Sequence, residues 1–373
     1  MRIVAIQDYL RVGGTEAQFL DLTARWASGG HEVRRLVFRR GGGLAEAARS
    51  GGPRPVFLQP FASPWNWWAP GLAGAVRDAR PDRIICFGRN AHRAFAGSFP
   101  RESHPGVVAT LRTGRALPAG YRRLLRGAGA VVANSAFAAE RARALGVAGG
   151  RIHTIANGCL LADRPVPSRA EARAGFGVGE SELVLVCLGS FVPGKAQERL
   201  IDEWNALAPE SRGRARLWFV GDGPRRRAAQ RRARRSADAG RIRFWGARAD
   251  PGRFLAAADL SVSVSREESS PNALVESLWL GVPVLALACA GVAELVREGA
   301  DGFVVADSDE DRGAFGRKLG ALLAEPDTLA SLRGTAGRGG RERFDPGARA
   351  RDYLRVFAEM TPFPAEEKGG ARR

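Results

Sequence analysis

In the stretch SREESSPNALVESLWLGVPVLAL, residues 265 to 287, two carboxylates, Glu268 and Glu276, stand eight positions apart with Pro271 and Asn272 between them. Pro271 suits the first turn of a helix and Ser269 or Ser270 its N-cap. Glu276 then lies inside that helix, about 8 Å along the axis from the cap at the usual rise per residue. At that separation the two carboxylates cannot act as an adjacent acid and base. They flank a helix N-terminus, whose unbonded amides and positive dipole end favour an anion such as a phosphate. A diphosphate lying over that terminus would have Glu268 on one side and Glu276 on the other. A carboxylate accepts the two hydrogen bonds of a vicinal diol well, so the spacing suits a sugar nucleotide. It equally suits a Glu268 that caps a helix and a Glu276 that faces solvent.

The elements that would position these residues follow a regular rhythm. The length of 373 residues suggests two domains with a cleft between them. Short apolar runs alternate with helix-like segments, which predicts parallel sheets built from βαβ units. Strands are expected at 2–7, 32–38, 55–59, 83–88, 106–111, 130–135 and 151–156, and the rhythm restarts at 182–189, 216–223, 241–247, 259–265, 282–287 and 302–306. The fold class is therefore α/β, with two Rossmann-like doubly wound domains. Their expected bounds are 1–165 and 182–345, with a Pro- and Gly-rich linker at 166–181, a helix over 346–362 packing back toward the first domain, and a disordered tail at 363–373. Glu268 follows the strand at 259–265 by three residues, at the carboxyl end where open α/β sheets bind ligands.

Composition narrows the partners. The formal charge of +18 suggests nucleic acid or an anionic membrane, but lysine occurs only at Lys195, Lys318 and Lys368 among 57 basic residues, a bias that a GC-rich coding sequence also produces. No aromatic-interleaved basic motif accompanies the charge, so nucleic acid is not the expected partner. The Arg-rich run at 224–235 reads as a solvated helix face or a contact for phospholipid headgroups. Cys86, Cys159, Cys187 and Cys289 form no CxxC pair and read as free thiols. His31, His92, His104 and His153 lack metal-ligand spacing. DSDED (307 to 311) reads as helix-capping acids and not as a metal-binding DxD. No apolar run is long enough to cross a membrane. MRIVAIQDYL reads as a first strand and not as a signal peptide, which places the chain in the cytoplasm, with the inner face of the cytoplasmic membrane as a secondary location.

The run Glu268, SSPNALV, Glu276 resembles the signature of the retaining glycosyltransferases of glycosyltransferase family 4, which have the two-domain GT-B fold. GGTEAQ (13 to 18), GGHEV (29 to 33), ANS (133 to 135), ANG (156 to 158), GDGP (221 to 224), FLAAADLSVSVS (254 to 265) and GVPVLAL with AELVREGADGFVV (281 to 305) match in order along nearly the whole chain. The resemblance implies two Rossmann-like domains facing each other across the cleft. It implies transfer without metal or cofactor, from a nucleotide-diphosphate sugar, UDP favoured over GDP, to a glycan or lipid-linked acceptor in cell-surface polysaccharide or glycolipid synthesis. It places Glu268 on the donor sugar, Glu276 on the ribose diol and Lys195 on the departing diphosphate. Ser269, Ser270, Asn272, Ala273 and Leu274 would face the donor, and Gly13 and Gly14 would form a loop closing toward the diphosphate.

The chain departs from the family pattern at several of these places. Ser190 stands beside the phosphates where many members have a second cation, and Arg112 takes the place of a frequent active-site His. Ala290 and Gly291 replace a GG pair, and Ser269 and Ser270 replace Gly and Phe. Trp65, Trp67 and Trp68 lie in one loop, where they suit sugar stacking, a lipid interface or core packing alike. Rival readings are a sugar-nucleotide epimerase or hydrolase on the same fold, and a non-catalytic carbohydrate- or membrane-binding module.

Overall fold

The computed structural model describes residues 1–308, 311 and 313–364. The chain divides into two compact units, Met1–Gly158 joined by the stretch from Pro346 onward, and Cys159–Asp345. The first holds strands β1 (Arg2–Gln7), β2 (Glu32–Val37), β3 (Pro55–Phe57), β4 (Arg83–Cys86), β5 (His104–Leu111), β6 (Ala128–Ala133) and β7 (Ile152–Thr154). The second holds β8 (Leu183–Leu188), β9 (Ala215–Val220), β10 (Ile242–Gly246), β11 (Leu260–Ser263), β12 (Val284–Leu287) and β13 (Gly302–Val305). All thirteen expected strands are present. Their orders are β3-β2-β1-β4-β5-β6-β7 and β10-β9-β8-β11-β12-β13, and the strands pair in parallel. Each order reverses once, between β1 and β4 and between β8 and β11. Doubly wound sheets bind ligands at the carboxyl side of that reversal.

In the first unit, the helix Gly14–Ser28 buries Phe19, Leu22 and Trp26. Trp26 meets Tyr353 and Phe357 of the helix Pro346–Glu359 edge to face at 5.7 and 5.4 Å, and its indole N–H donates to the Ala350 carbonyl at 3.1 Å. Truncating so large a buried side chain costs about 3–5 kcal/mol. Phe363, expected in the tail, is ordered by this unit: its amide donates to the Asp82 carbonyl at 2.9 Å, and its ring stands 5.9 Å from that of Phe99. Residues 365–373 of the expected tail lie outside the described residues.

His92 is fully buried against Tyr121, with ring centroids 3.8 Å apart. Its Nδ1 is 2.7 Å from the Gly88 carbonyl and its Nε2 accepts the Thr110 amide at 3.1 Å, so the neutral ring is the form this site accommodates. Burial lowers its pKa to about 4. The folded state therefore resists a proton that the unfolded chain takes up below pH 6.5, and stability is lost as pH falls from 6.5 toward 4. About 2 kcal/mol is expected to go by pH 5. The difference in unfolding free energy between pH 7 and pH 5, from urea titrations, should shrink by that amount in His92→Gln relative to the parent.

In the second unit the segment expected as a linker, 166–181, is part of the folded body. Ser168 and Glu171 form a reciprocal capping box that opens the helix Arg169–Phe176, and Gly177, at φ 62°, ends it in the left-handed region that favours glycine. Arg173 reaches Asp259 at 3.0 Å, and Phe176 packs on Trp218, Trp245 and Phe254. The units meet in sequence at 158/159 and 345/346 instead. The helix after β13 begins at Ala314 with Gly313, and not an acid of the 307–311 run, at its N-cap position, where no side-chain cap is made. Asp307 is ion-paired to Arg199 at 2.6 Å and Asp311 to Arg317, while Asp309 and Glu310 lie outside the described residues. Cys86, Cys159 and Cys187 are buried and Cys289 partly so, all as free thiols. No helix among the described residues is long and apolar enough to cross a membrane.

Candidate functional site

The reversal between β8 and β11 brings together residues that sequence separates. Beyond β8, Gly189 leads through Ser190 to a short turn, Pro193–Lys195. Beyond β11 the chain runs from Ser265 to Glu268 and into the helix Asn272–Trp279. Lys195 Nζ and Glu268 Oε1 are in direct contact, with side chains 25% and 14% exposed. So shielded a pair is screened by solvent far less than a surface bridge.

Glycines allow the strand ends to close up beneath this pair. Gly189 has a backbone conformation (φ 156°) that other residues rarely adopt, and an added Cβ would stand 3.6 Å from Lys195 Nζ and 3.7 Å from its Cε. Gly221 (φ 143°), after β9, would place a Cβ 2.0 Å from the Gly189 carbonyl oxygen. Ser190 is exposed, and the Gln197 side-chain amide holds its carbonyl at 3.0 Å. Gln197 was not foreseen as a support for this loop.

The helix Asn272–Trp279 carries the second carboxylate. Pro271 stands at the N-cap and makes no side-chain cap, so the serines expected as caps precede it. Ser277 Oγ bonds to Ser261 Oγ of β11 at 2.8 Å and to the Ala273 carbonyl at 2.7 Å, fixing the helix on the sheet. Leu274, expected to face the donor, has its side chain in the core and donates its amide to the Pro271 carbonyl at 3.1 Å. The Ala273 amide lies in the first turn of this helix, where backbone N–H groups have no intrahelical acceptor. Ser269 is buried, and Ser270 and Asn272 are partly exposed.

Glu276 is 7% exposed; its backbone carbonyl accepts the Leu280 amide at 3.2 Å, and no hydrogen bond reaches its carboxylate among the described residues. The reading of it as a solvent-facing helix residue is thereby overturned. Burial pushes its pKa up to about 7, against the pull of Arg164. A buried carboxylate without donors is unfavourable unless something supplies them.

The loop after β12 closes over the first carboxylate. The Gly291 amide donates to the Glu268 carbonyl at 3.0 Å, and a Cβ at Gly291 would fall 1.8 Å from the Ser269 carbonyl oxygen. Cys289 lies alongside, and burial raises its thiol to about 11, with the Glu268 charge adding to the effect. Gly291→Ala must displace the Glu268–Ser269 backbone. It is expected to cost about 1–3 kcal/mol of stability in this unit and to weaken ligand binding by about tenfold, both readable from a melting curve with and without UDP.

In the first unit Arg112 follows β5. Its guanidinium donates to Asn157, within the ANG run, and to the Tyr353 hydroxyl at 3.3 Å, and it lies 5.9 Å from the Phe87 ring. Gly13 is the N-cap of the helix Gly14–Ser28 with extended backbone (φ −163°). A Cβ there would meet Glu16 Oε2 at 2.4 Å. Glu16 is 3% exposed and pairs with Arg11 at 2.6 Å. This helix N-terminus thus already has a carboxylate of its own beside it, which the Gly13–Gly14 pattern did not reveal. An incoming phosphate would compete with that carboxylate.

Residues 182–325 match the family described as Glycosyl transferases group 1, and residues 12–161 the family described as Glycosyltransferase Family 4. Between them the two matches take in more than three quarters of the chain. The chain belongs to the group 1, family 4 glycosyltransferases. Two structures of Anabaena HepE, in complex with UDP and with UDP-glucose, superpose on this family 4 glycosyltransferase with TM-scores of 0.80 and 0.79 at 21% identity. They cover 96% and 95% of this chain and 100% and 99% of theirs. The fold is that of the GT-B glycosyltransferases. The Vi polysaccharide biosynthesis protein VipC/TviE of Salmonella typhi is 40% identical over 93 residues, 25% of this chain and 16% of that protein. The putative glycosyltransferase EpsD of Bacillus subtilis is 27% identical over 207 residues, 55% of this chain and 53% of that protein. This glycosyltransferase chain therefore spans about half or less of the length of these curated relatives.

Proposed function

We propose that the chain transfers a sugar, with retention at its anomeric carbon, from a nucleotide-diphosphate donor to a glycan or lipid-linked acceptor in cell-surface polysaccharide or glycolipid synthesis. A UDP-sugar is the favoured donor. The observation that carries this reading is the Lys195–Glu268 pair at the strand-order reversal, beside a helix in which Glu276 is buried without donors. In the donor-free state each ionised group of the pair serves as the other's counter-ion. A bound diphosphate takes over Lys195 and releases Glu268 for the sugar hydroxyls, while the ribose diol supplies the two donors that Glu276 lacks. The Ala273 amide and the helix dipole meet the phosphates.

The bond from the anomeric carbon to the diphosphate oxygen breaks with its electron pair going to the diphosphate, where Lys195 offsets the growing charge. The acceptor hydroxyl oxygen bonds to the anomeric carbon on the face the diphosphate leaves, and its proton passes to the departing phosphate oxygen. No enzyme nucleophile is invoked. Arg112, held by Asn157 and Tyr353, is proposed to take the role of the family's frequent active-site His. The HepE complexes with UDP and UDP-glucose, and the polysaccharide role in the name of the Salmonella relative, support the donor class and the setting. Cytoplasmic location and independence of metal and cofactor belong to the same proposal.

A thermal-shift screen against nucleotides and nucleotide sugars tests it. A ligand at 100 times its dissociation constant stabilises by about 2.7 kcal/mol. One nucleotide series should shift the parent protein, and no shift with any nucleotide would sink the reading. Rapid donor turnover without acceptor would favour the epimerase or hydrolase instead.

A further inference from the structure

We propose that the segment 58–71 of the first unit is an interfacial anchor that inserts into the headgroup region of an anionic phospholipid bilayer. Residues 55–76 contain no charged side chain, in a chain of which 26% is charged, and no acid occurs between Glu46 and Asp78. The segment is nonetheless at the surface: Phe61, Trp65 and Trp67 are 56%, 50% and 53% exposed. With Val56, at 49%, they make up four of the six exposed large hydrophobics among the described residues. Water-facing aromatics concentrated in one loop mark an interaction surface.

The polar side chains of the loop turn inward. Gln59 is fully buried, and its side-chain amide donates to the Trp65 and Trp68 carbonyls at 2.8 and 2.7 Å. Ser63 Oγ accepts the Trp65 amide at 3.0 Å, and Asn66 accepts from Arg39 at 3.3 Å. The outward face is left to rings, whose planes diverge. Trp65 lies at 34° to Trp67 and 82° to Trp68, and Phe61 at 42° to Trp68. Three inclined facets make an apolar knob and not the single flat platform on which a pyranose face stacks. The Gln59 side-chain amide donors are spent on the loop itself.

Cations complete the pattern. Arg39 and Arg40 contact the loop through Asn66 and the Gln59 carbonyl, and exposed Arg54 precedes β3. Rings with apolar bodies and polar N–H tips settle at the level of lipid headgroups, and arginines there gain from anionic lipid. This inference stands apart from the donor reading, since none of its residues belongs to the Lys195–Glu268 site.

The full chain is pelleted with vesicles of phosphatidylglycerol and phosphatidylcholine in equal parts, at low salt and at about 1 M salt, where the Debye length is about 3 Å and the general attraction of a +18 chain is screened. Trp65→Ser with Trp67→Ser, at half-exposed positions that leave no core cavity, should lower partitioning on the order of tenfold or more, chiefly the salt-resistant part. The same change should abolish the lipid-induced blue shift of tryptophan emission. The paired Phe variants should retain most of the binding, and the UDP thermal shift should be the same in all. Equal pelleting of the parent and the Ser variant overturns the proposal. So does loss of oligosaccharide binding in the Ser variant with pelleting unchanged, which would assign the loop to a glycan.

Discussion

Lys195→Ala is expected to reduce donor turnover by roughly 10²- to 10³-fold, measured as UDP released per second. The charge on the diphosphate grows as the glycosidic bond stretches, so the lysine contributes more to the transition state than to the bound donor. The donor KM should rise less than turnover falls. The substitution also strips Glu268 of its counter-ion in a pocket where the carboxylate is only 14% exposed. Lys195→Arg is not expected to rescue. The position is fixed by the turn Pro193–Lys195 and by Ala196, a non-glycine residue at φ 49°, while the lysine stem runs against Gly189. A planar guanidinium has a different shape and reach from an ammonium.

Glu276 carries the second large effect, and it has two opposite signs. Glu276→Gln should weaken UDP-glucose binding on the order of a hundredfold, because charge-assisted bonds to two hydroxyls are exchanged for an amide that accepts through one atom. The same variant should be more stable than the parent when no ligand is present. A carboxyl whose folded pKa is raised to about 7 from 4.5 destabilises the folded state increasingly as pH rises from 4.5 through 7. The gain in the Gln variant should approach about 3 kcal/mol at pH 8 and vanish near pH 4. Binding by the parent has the complementary dependence. Only the ionised carboxylate accepts both hydroxyls, so the dissociation constant should rise about tenfold between pH 8 and pH 6 and stay flat in Glu276→Gln. UDP-glucose suits this measurement because its diphosphate is doubly esterified and does not titrate in that range.

The strands were readable because each is a short β-branched run closed by glycine or a polar turn. Parallel pairing followed from the helices between them. The segment 166–181 reads as a linker from its prolines and glycines, yet it also holds Ser168 and Glu171, whose three-residue spacing is a helix-start signature in its own right. Phe363 escaped because a single ring after a helix has no period. At the site, residue types and order pointed to Glu268, Glu276 and Lys195, but their relation did not follow from local pattern. Lys195 and Glu268 are 73 residues apart and meet only because β8 and β11 are neighbours. The burial of Glu276 depends on how its helix lies against the sheet, through Ser277 and Ser261, which no helical period encodes. Leu274 shows the converse. A donor-facing motif position turns out to be core, because the helix must bury one side to hold its N-terminus in place.

Amide hydrogen exchange of the parent protein with and without saturating UDP examines the whole proposal at once. Slowed exchange concentrated in 189–197 and 268–277, with Glu276→Ala losing it in both segments, is the expected outcome. Nucleotide-dependent protection lying elsewhere, with these two segments unchanged, would contradict the assignment of the Lys195, Glu268 and Glu276 site to a nucleotide-diphosphate donor.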